Sequence, residues 1–449
     1  MQIEITDIND AGEGIGRQEN KVVFVAGAVP EDIVTVKILQ QKSNFIQAEL
    51  VEIIQPSPHR IKPHCIVADK CGGCQWQFLS YAQQLVIKHR KVRETLVRIG
   101  KFTPTEIDSV LLPIIPADQP FGYRNKVAFP LGIGQNGTVK AGYFQRNSHK
   151  LINLNKCPVQ EDRFNIFLQQ IKQDIQRQKW SVYNEVTHRG SLRHLLLRIG
   201  RRRGEILLTL VSKDAKLENL SRQAEQWLTT YRGLVGVTLN INPHRTNAIL
   251  GTETKLIAGQ DFVTEKLLSY TFHLRADTFF QVYTEQAEKM IQWLRDHLSL
   301  TSTTVLLDAY GGIGTIAICL ANLVKQVVAI EIQPQAVKQA QHNANLNKVE
   351  NIEFFTGKVE EILPQLAIKP NIVILDPPRK GCQPEVIVSL RELRPRQIAY
   401  VSCNPATLAR DLQLLCGDNL FRIKKIQPID FFPQTAHVEC ITLLDYQGN

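Results

Sequence analysis

The chain has 449 residues, with 53 Lys and Arg against 43 Asp and Glu, a net charge of +10 and 43% hydrophobic residues. This composition excludes a fibrous or wholly disordered chain, and the length suggests about three domains of roughly 150 residues. No apolar run reaches the ~20 residues of a membrane helix, and Met1-Gln-Ile-Glu-Ile opens as a strand, so a cytoplasmic protein is expected.

The charge is uneven along the chain. Residues 1–56 carry 4 basic and 9 acidic side chains, a balance of −5. Residues 57–260 carry 31 and 14, a balance of +17, and residues 261–449 carry 18 and 20, a balance of −2. A basic middle between slightly acidic ends points to a polyanionic partner. Domains over 1–56, 57–260 and 261–449 are expected.

The first segment reads as short strands: Ile3–Thr6, Lys21–Val25, Ile33–Ile38 and Ala48–Ile54, with Ala11-Gly-Glu-Gly-Ile-Gly as a turn. Alternating strands in so short a stretch suit an OB-like β-barrel.

The middle segment opens with Cys65, Cys71 and Cys74 inside ten residues, three soft ligands that suggest a metal. Cys157, followed by Pro158, is the expected fourth ligand. All-sulfur ligation suits zinc or an iron–sulfur cluster, and spacing does not choose between them. Of the nine cysteines, Cys319, Cys382, Cys416 and Cys440 read as small buried hydrophobes. A helix is expected from Tyr81 to Ile99, its apolar stripe Leu85, Val92, Leu96 and Ile99, with Lys88, Arg90, Lys91 and Arg93 off it. Strands near Lys126–Phe129, His194–Ile199, Glu205–Val211 and Gly236–Ile241, with a helix over 164–178, give an α+β pattern. Here Phe121-Gly-Tyr-Arg-Asn-Lys, His188-Arg-Gly-Ser-Leu-Arg-His, Arg198 and Arg201-Arg-Arg are expected to stack on unpaired bases and neutralise phosphates.

The last segment alternates strand and helix, which predicts a parallel, doubly wound sheet. Asp308-Ala-Tyr-Gly-Gly-Ile-Gly-Thr lies where a strand turns into a helix, and Glu331 ends the next strand 23 residues on. A carboxylate there suits ribose hydroxyls, in nicotinamide and S-adenosylmethionine sites alike. Asp376-Pro-Pro-Arg-Lys-Gly follows another strand, and its prolines make a rigid corner at the ligand edge. Such a corner suits a nucleobase methyltransferase better than a dehydrogenase. Cys403, in Val401-Ser-Cys-Asn-Pro, ends the following strand on the same edge. Glu439 lies within the apolar strand Val438-Glu-Cys-Ile-Thr-Leu-Leu, where a carboxylate is costly unless employed.

These residues fit one reaction. C5 of uracil is too weak a nucleophile to take a methyl group unaided. A thiolate adding at C6 makes C5 an enolate carbon that can, and a base must then remove the C5 proton. Cys403 and Glu439 are the expected nucleophile and base. Competing readings are an amino-group methyltransferase, a non-catalytic RNA-binding protein and a nicotinamide enzyme.

On these motifs the chain resembles the RNA uracil-5-methyltransferase family nearly end to end. The resemblance implies a TRAM domain for the barrel and a Rossmann-like class I methyltransferase domain at the C-terminus. The four cysteines match the 4Fe-4S ligands of the bacterial branch acting on 23S ribosomal RNA, so the resemblance implies a cluster at Cys65, Cys71, Cys74 and Cys157. It assigns S-adenosylmethionine contacts to Gln281, Tyr310, Glu331 and Asp376, and nucleophile and base to Cys403 and Glu439. It also suggests that the helix after Cys74 packs on the catalytic domain. The expected enzyme is a monomer that takes 23S rRNA, with a tRNA uridine or a base nitrogen as alternative targets, and no DNA or membrane partner.

Overall fold

The computed structural model describes residues 1–146 and 148–448. Strands β1 (Gln2–Ile8), β2 (Glu13–Gln18), β3 (Lys21–Ala26), β4 (Ile33–Gln41) and β5 (Phe45–Gln55) close into a barrel in the order β1-β2-β3-β5-β4. The expected turn at Ala11-Gly-Glu-Gly-Ile-Gly is shorter, over residues 10–12, and β2 takes its Glu13–Gly16 half. A Cβ at Gly16 would lie 2.3 Å from Ile3 Cγ2, and one at Gly14 2.8 Å from Ile5 Cγ2. The glycines therefore permit close packing inside the barrel and do not break its strand.

The acidity of the barrel is spent partly on docking. Asp32, fully buried, accepts from the Val29 and Ser57 amides at 2.8 and 2.9 Å and from Arg60 Nε at 3.0 Å. Asp7 and Asp10 pair with Arg90 and Lys91 of α1 (Tyr81–Arg98). Ser80 caps α1, while Thr103, Pro104 and Glu106 form a capping box for α2 (Pro104–Val110).

A seven-stranded central sheet follows, built from β6 (Lys126–Ile133), β7 (Val139–Phe144), β8 (Leu151–Asn153), β9 (Leu192–Gly200), β10 (Glu205–Ser212), β11 (Leu234–Ile241) and β12 (Glu253–Gly259). Its order is β12-β11-β10-β9-β6-β7-β8. Helices α3 (Phe164–Arg177) and α4 (Leu220–Thr230) cover its apolar face.

The hairpin β13 (Phe262–Leu267) and β14 (Tyr270–Arg275) leads through α5 (Thr284–His297) into the second large sheet. This sheet alternates β15 (Val305–Asp308), α6 (Thr315–Ala321), β16 (Gln326–Glu331), α7 (Pro334–Leu346), β17 (Ile352–Thr356), α8 (Val359–Ile362), β18 (Ile372–Leu375), α9 (Pro384–Leu393), β19 (Gln397–Ser402) and α10 (Pro405–Cys416). The closing strands β20 (Phe421–Ile429) and β21 (Glu439–Tyr446) complete the order β17-β16-β15-β18-β19-β21-β20. Every pair is parallel except those involving β21. Its strands feed two cores: Leu306, Ile372 and Ile374 face one, Leu307, Val373 and Leu375 the other. Continuous apolar runs such as Ile372-Val-Ile-Leu are what a doubly covered parallel sheet requires.

Helix α1 packs on α10, and the chain after α2 pairs with the sheet edge through the Leu111–Ile426 and Ile115–Ile429 bridges. Residues 81–115 thus lie against the C-terminal sheet, although they precede the central one in sequence. Among the described residues no helix is long and apolar enough to cross a membrane.

Candidate active site

Because β15, β16, β18 and β19 run parallel, their C-terminal ends share one edge, which carries Asp308, Glu331, Asp376 and Cys403. Strand β21 runs the other way and brings Glu439, at its start, to the same edge. Ser402–Cys440 is the last pair of the ladder, and Cys403 and Glu439 each lie one position beyond it. Asn404 caps α10 by accepting from Ala406 N–H at 3.1 Å, and Pro405 opens the helix, which stops β19 at the cysteine.

The glycine loop is tied down by carboxylates. Glu331 accepts from the Gly312 amide at 3.1 Å and the Gln333 amide at 2.7 Å. Asp308 Oδ2 accepts from Ala317 N–H at 3.2 Å, while its buried Oδ1 has no partner. Gly314 caps α6 at φ 82°, a left-handed conformation that suits glycine. Helix α10 grips the proline corner: Asn404 Nδ2 donates to Arg379 O at 3.1 Å and Arg410 donates to Lys380 O at 3.0 Å. Asp411 Oδ2 accepts from Cys382 N–H at 2.9 Å and the Tyr400 hydroxyl at 2.6 Å.

Electrostatically the edge is a cluster of acids. Burial and the Glu331 charge push Asp308 up to about 7, and burial with the Asp308 charge does the same for Asp376. Burial and Asp376 push Glu439 up to about 8, and burial with Glu439 pushes the Cys403 thiol up to about 11. Arg379 opposes both of these last shifts. It was legible only as a member of the proline corner, and its electrostatic place at Cys403 and Glu439 needed the fold. Burial also raises the half-buried Tyr310, whose hydroxyl meets Cys382. Gln281 stands apart from these contacts: its backbone carbonyl accepts from Asn125 Nδ2 at 2.9 Å. An edge with three carboxylates held up near neutrality, a carboxylate oxygen without a hydrogen-bond partner among the described residues and a glycine turn fits a cationic nucleoside such as S-adenosylmethionine.

The family model described as tRNA (Uracil-5-)-methyltransferase matches residues 81–447, and the TRAM domain model matches residues 1–51. The chain belongs to the tRNA (uracil-5-)-methyltransferase family. It is 50% identical over 444 residues to an uncharacterized RNA methyltransferase of Nostoc sp., covering 99% of this chain and 96% of that one. A Clostridium acetobutylicum relative, also an uncharacterized RNA methyltransferase, is 38% identical over 447 residues, covering 99% and 96%. The crystal structure of Pyrococcus abyssi tRNA (uracil-54, C5)-methyltransferase with S-adenosyl-L-homocysteine superposes with a TM-score of 0.78 at 27% identity, covering 99% of this chain and 100% of that one. The protein is an RNA uracil-C5 methyltransferase that uses S-adenosylmethionine.

In this methyltransferase Cys65, Cys71, Cys74 and Cys157 line one cavity of about 310 Å³. Gly73 N–H points at Cys71 Sγ at 3.4 Å, and the amides of Val159 and Gln160 point at the Cys157 thiol. Arg146 spans the loop, donating to Cys74 O at 2.9 Å and Cys71 O at 3.3 Å. Among the described residues no three His, Cys, Asp or Glu side chains are gathered closely enough to hold a metal ion.

Several cations of the basic motifs in the middle segment are engaged by the protein itself, whereas Arg189, Arg202 and Arg203 stay exposed. Tyr123 is buried and stacked on Tyr283 with ring centroids 4.9 Å apart. Arg193 donates to Asn242 O and His244 O at 2.9 and 2.8 Å and lies over the Tyr183 ring. Arg198, fully buried, donates to Thr278 O at 2.5 Å, and Lys126 to Ala276 O at 2.8 Å. Arg201 pairs with Glu161 and Glu285, Arg202 with Glu288 and Arg203 with Glu205. Apart from the local Arg203–Glu205 pair, these cations bind carbonyls and carboxylates that lie far away in sequence, so composition overstated their freedom. The segment's exposed charge is carried by residues such as Lys62, Lys150, Lys156 and Arg245.

Proposed function

We propose that the enzyme methylates C5 of a uridine through Cys403 and Glu439. The observation that carries this reading is that Cys403 and Glu439 each lie one position past the Ser402–Cys440 pair, with the Glu439 charge acting on the Cys403 thiol. Cys403 as thiolate adds its sulfur to C6, so that the C5–C6 electron pair becomes nucleophilic at C5 and takes the methyl group. Glu439 removes the C5 proton, the C5–C6 double bond reforms, and the C6–sulfur bond breaks to return the thiolate. A carboxyl held near neutrality by burial suits that proton transfer. Arg379 stabilises both anions. Bound S-adenosylmethionine supplies the methyl group as a sulfonium, and Gln281, Tyr310, Glu331 and Asp376 are the residues we assign to hold it.

Four thiols around one cavity, with amide donors aimed at two of them, support a 4Fe-4S cluster on Cys65, Cys71, Cys74 and Cys157. The cysteine set supports 23S rRNA as the target. The second reading, a tRNA uridine, is favoured by the likeness to the Pyrococcus abyssi enzyme. We read the chain as a cytoplasmic monomer that binds RNA and not DNA, with functional units at 1–56, 57–260 and 261–449. Residues 81–115 serve the third unit through α1.

The test is direct. Purified enzyme and cofactor are given 23S rRNA or total tRNA labelled with tritium at C5 of uridine. Release of tritium to water from 23S rRNA, with 5-methyluridine mapped at one or two sites, is expected. Methylation of a base nitrogen with no tritium release would overturn the reaction, and release from tRNA alone would move the target.

A further inference from the structure

The loop Asp430–Val438 joins β20 to β21 and ends on Glu439, so its path decides where that carboxylate points. Little of its fixing comes from the C-terminal sheet. Lys88 Nζ donates to Asp430 Oδ1 at 2.7 Å and Phe432 O at 3.0 Å, and neither ion-paired side chain has any exposure. Gln84, also fully buried, accepts from the Gln434 amide at 2.9 Å and donates to Gln434 Oε1 at 3.1 Å. Lys91 Nζ donates to Ala436 O at 3.2 Å. These three side chains, at positions i, i+4 and i+7 of α1, form one polar face turned toward the loop.

The cysteine loop supplies the second half of the clamp. Directly after Cys74, the amides of Gln75 and Trp76 both donate to Gln434 O at 3.1 Å. Gln84 Nε2 donates back to Trp76 O and Leu79 O at 3.0 and 2.9 Å, and the Tyr123 hydroxyl donates to Pro433 O at 3.1 Å. Gln434 itself holds φ 70°, a left-handed conformation that a side chain rarely adopts without enforcement. Asp430 Oδ2, Gln75 Oε1 and Trp76 Nε1 have no hydrogen-bond partner among the described residues. The bonds converging on Gln434 and on Asp430 Oδ1 are nevertheless made from several elements, and such a network favours one loop geometry.

We propose that Gln84 and Lys88 of α1 are positioning residues for the general base: through Gln434 and Asp430 they set the loop that aims Glu439 at C5. This inference rests on Glu439 acting as the base. The chemistry gives it a specific signature. Once the Cys403 thiol has lost its proton to solvent, addition of the thiolate to C6 and transfer of the methyl group take no proton from C5, whereas release of the product does. Loosening the clamp should therefore leave the adduct forming and slow its resolution.

The experiment compares full-length Gln84→Met, the shape-preserving pair Lys88→Met with Asp430→Asn, and Glu439→Gln as reference. Each is assayed for S-adenosylhomocysteine affinity, KM for the RNA, turnover, and denaturation-resistant protein–RNA adduct. Cofactor affinity and KM should stay at wild-type values. Turnover should fall roughly 10- to 100-fold, as expected for a misplaced catalytic group, and the adduct should accumulate as in Glu439→Gln. The second variant keeps the test open should Gln84→Met fail to fold. Wild-type turnover in both variants, or a parallel fall in cofactor affinity, adduct formation and turnover, would overturn the positioning role. Wild-type turnover of Glu439→Gln would instead overturn the base assignment beneath it.

Discussion

Cys403 lies just past the end of β19 and Glu439 opens β21, each one position beyond the Ser402–Cys440 pair. In the proposed reaction the two groups do separate work, and each can be removed separately. Cys403→Ala should abolish methyl transfer, a loss of more than about 1,000-fold, while S-adenosylhomocysteine still binds with near wild-type affinity. Glu439→Gln should still form the covalent adduct and fail to resolve it. Gel electrophoresis of enzyme with labelled RNA after denaturation checks both outcomes; methyl transfer by Cys403→Ala would remove the nucleophile from the scheme.

Arg379 is the cation that counters the rise of the thiol. Burial and Glu439 push Cys403 up to about 11, and Arg379 pulls it back. Arg379→Gln should therefore move the thiol higher still. The pH dependence of alkylation of Cys403 by iodoacetamide measures this, its midpoint shifting to more alkaline pH. An unchanged midpoint would leave Arg379 without an electrostatic role at the nucleophile.

The catalytic edge was legible because its residues sit at ends of strands whose apolar runs are unmistakable. Asp308, Glu331, Asp376 and Cys403 each close such a run, and parallel topology does the rest. Gly14 and Gly16 were misread as a turn because sequence shows the missing side chain but not the neighbour that needs its space. The stripe on α1 was also misplaced. Leu85 is only half-buried and Ile99 is exposed, while Gln84, Ile87 and Lys88 are buried beside Val92 and Leu96. A helical period detects apolar faces, and Lys88 is buried for a reason carried 342 residues away, at Asp430. Arg198 and Arg201 escaped for the same cause: a cation's partner is a tertiary fact.

Three buried acids should govern how the ligand-free enzyme responds to pH. Asp308 and Asp376 are held up at about 7 and Glu439 at about 8, above their ordinary values of 3.8 and 4.5. The folded state thus binds these protons more tightly than the unfolded chain. Their contribution to stability is full below about pH 4 and is lost as pH rises through about 7 to 8. Asp308→Asn should gain about 2–4 kcal/mol over wild type at pH 8.5 and little at pH 4, while S-adenosylhomocysteine binding weakens. Urea denaturation at the two pH values checks the sign; equal gains at both would show that ionisation of Asp308 is not the cause.

The four-cysteine cavity makes the last prediction. Burial raises Cys71, and burial pushes Cys74 up to about 12 and Cys157 up to about 11; the neighbouring cysteines add to each shift. Four thiolates in one cavity repel each other, and a cationic metal centre removes that penalty. Anaerobically purified enzyme should accordingly contain about four iron and four sulfide per chain, with broad visible absorption that air bleaches. Cys74→Ser should lose most of that iron and lower Tm, because the loop that ends at Gln75 and Trp76 would keep its bonds to Gln434 but lose its anchor. One zinc per chain with no sulfide would replace the cluster by a mononuclear site.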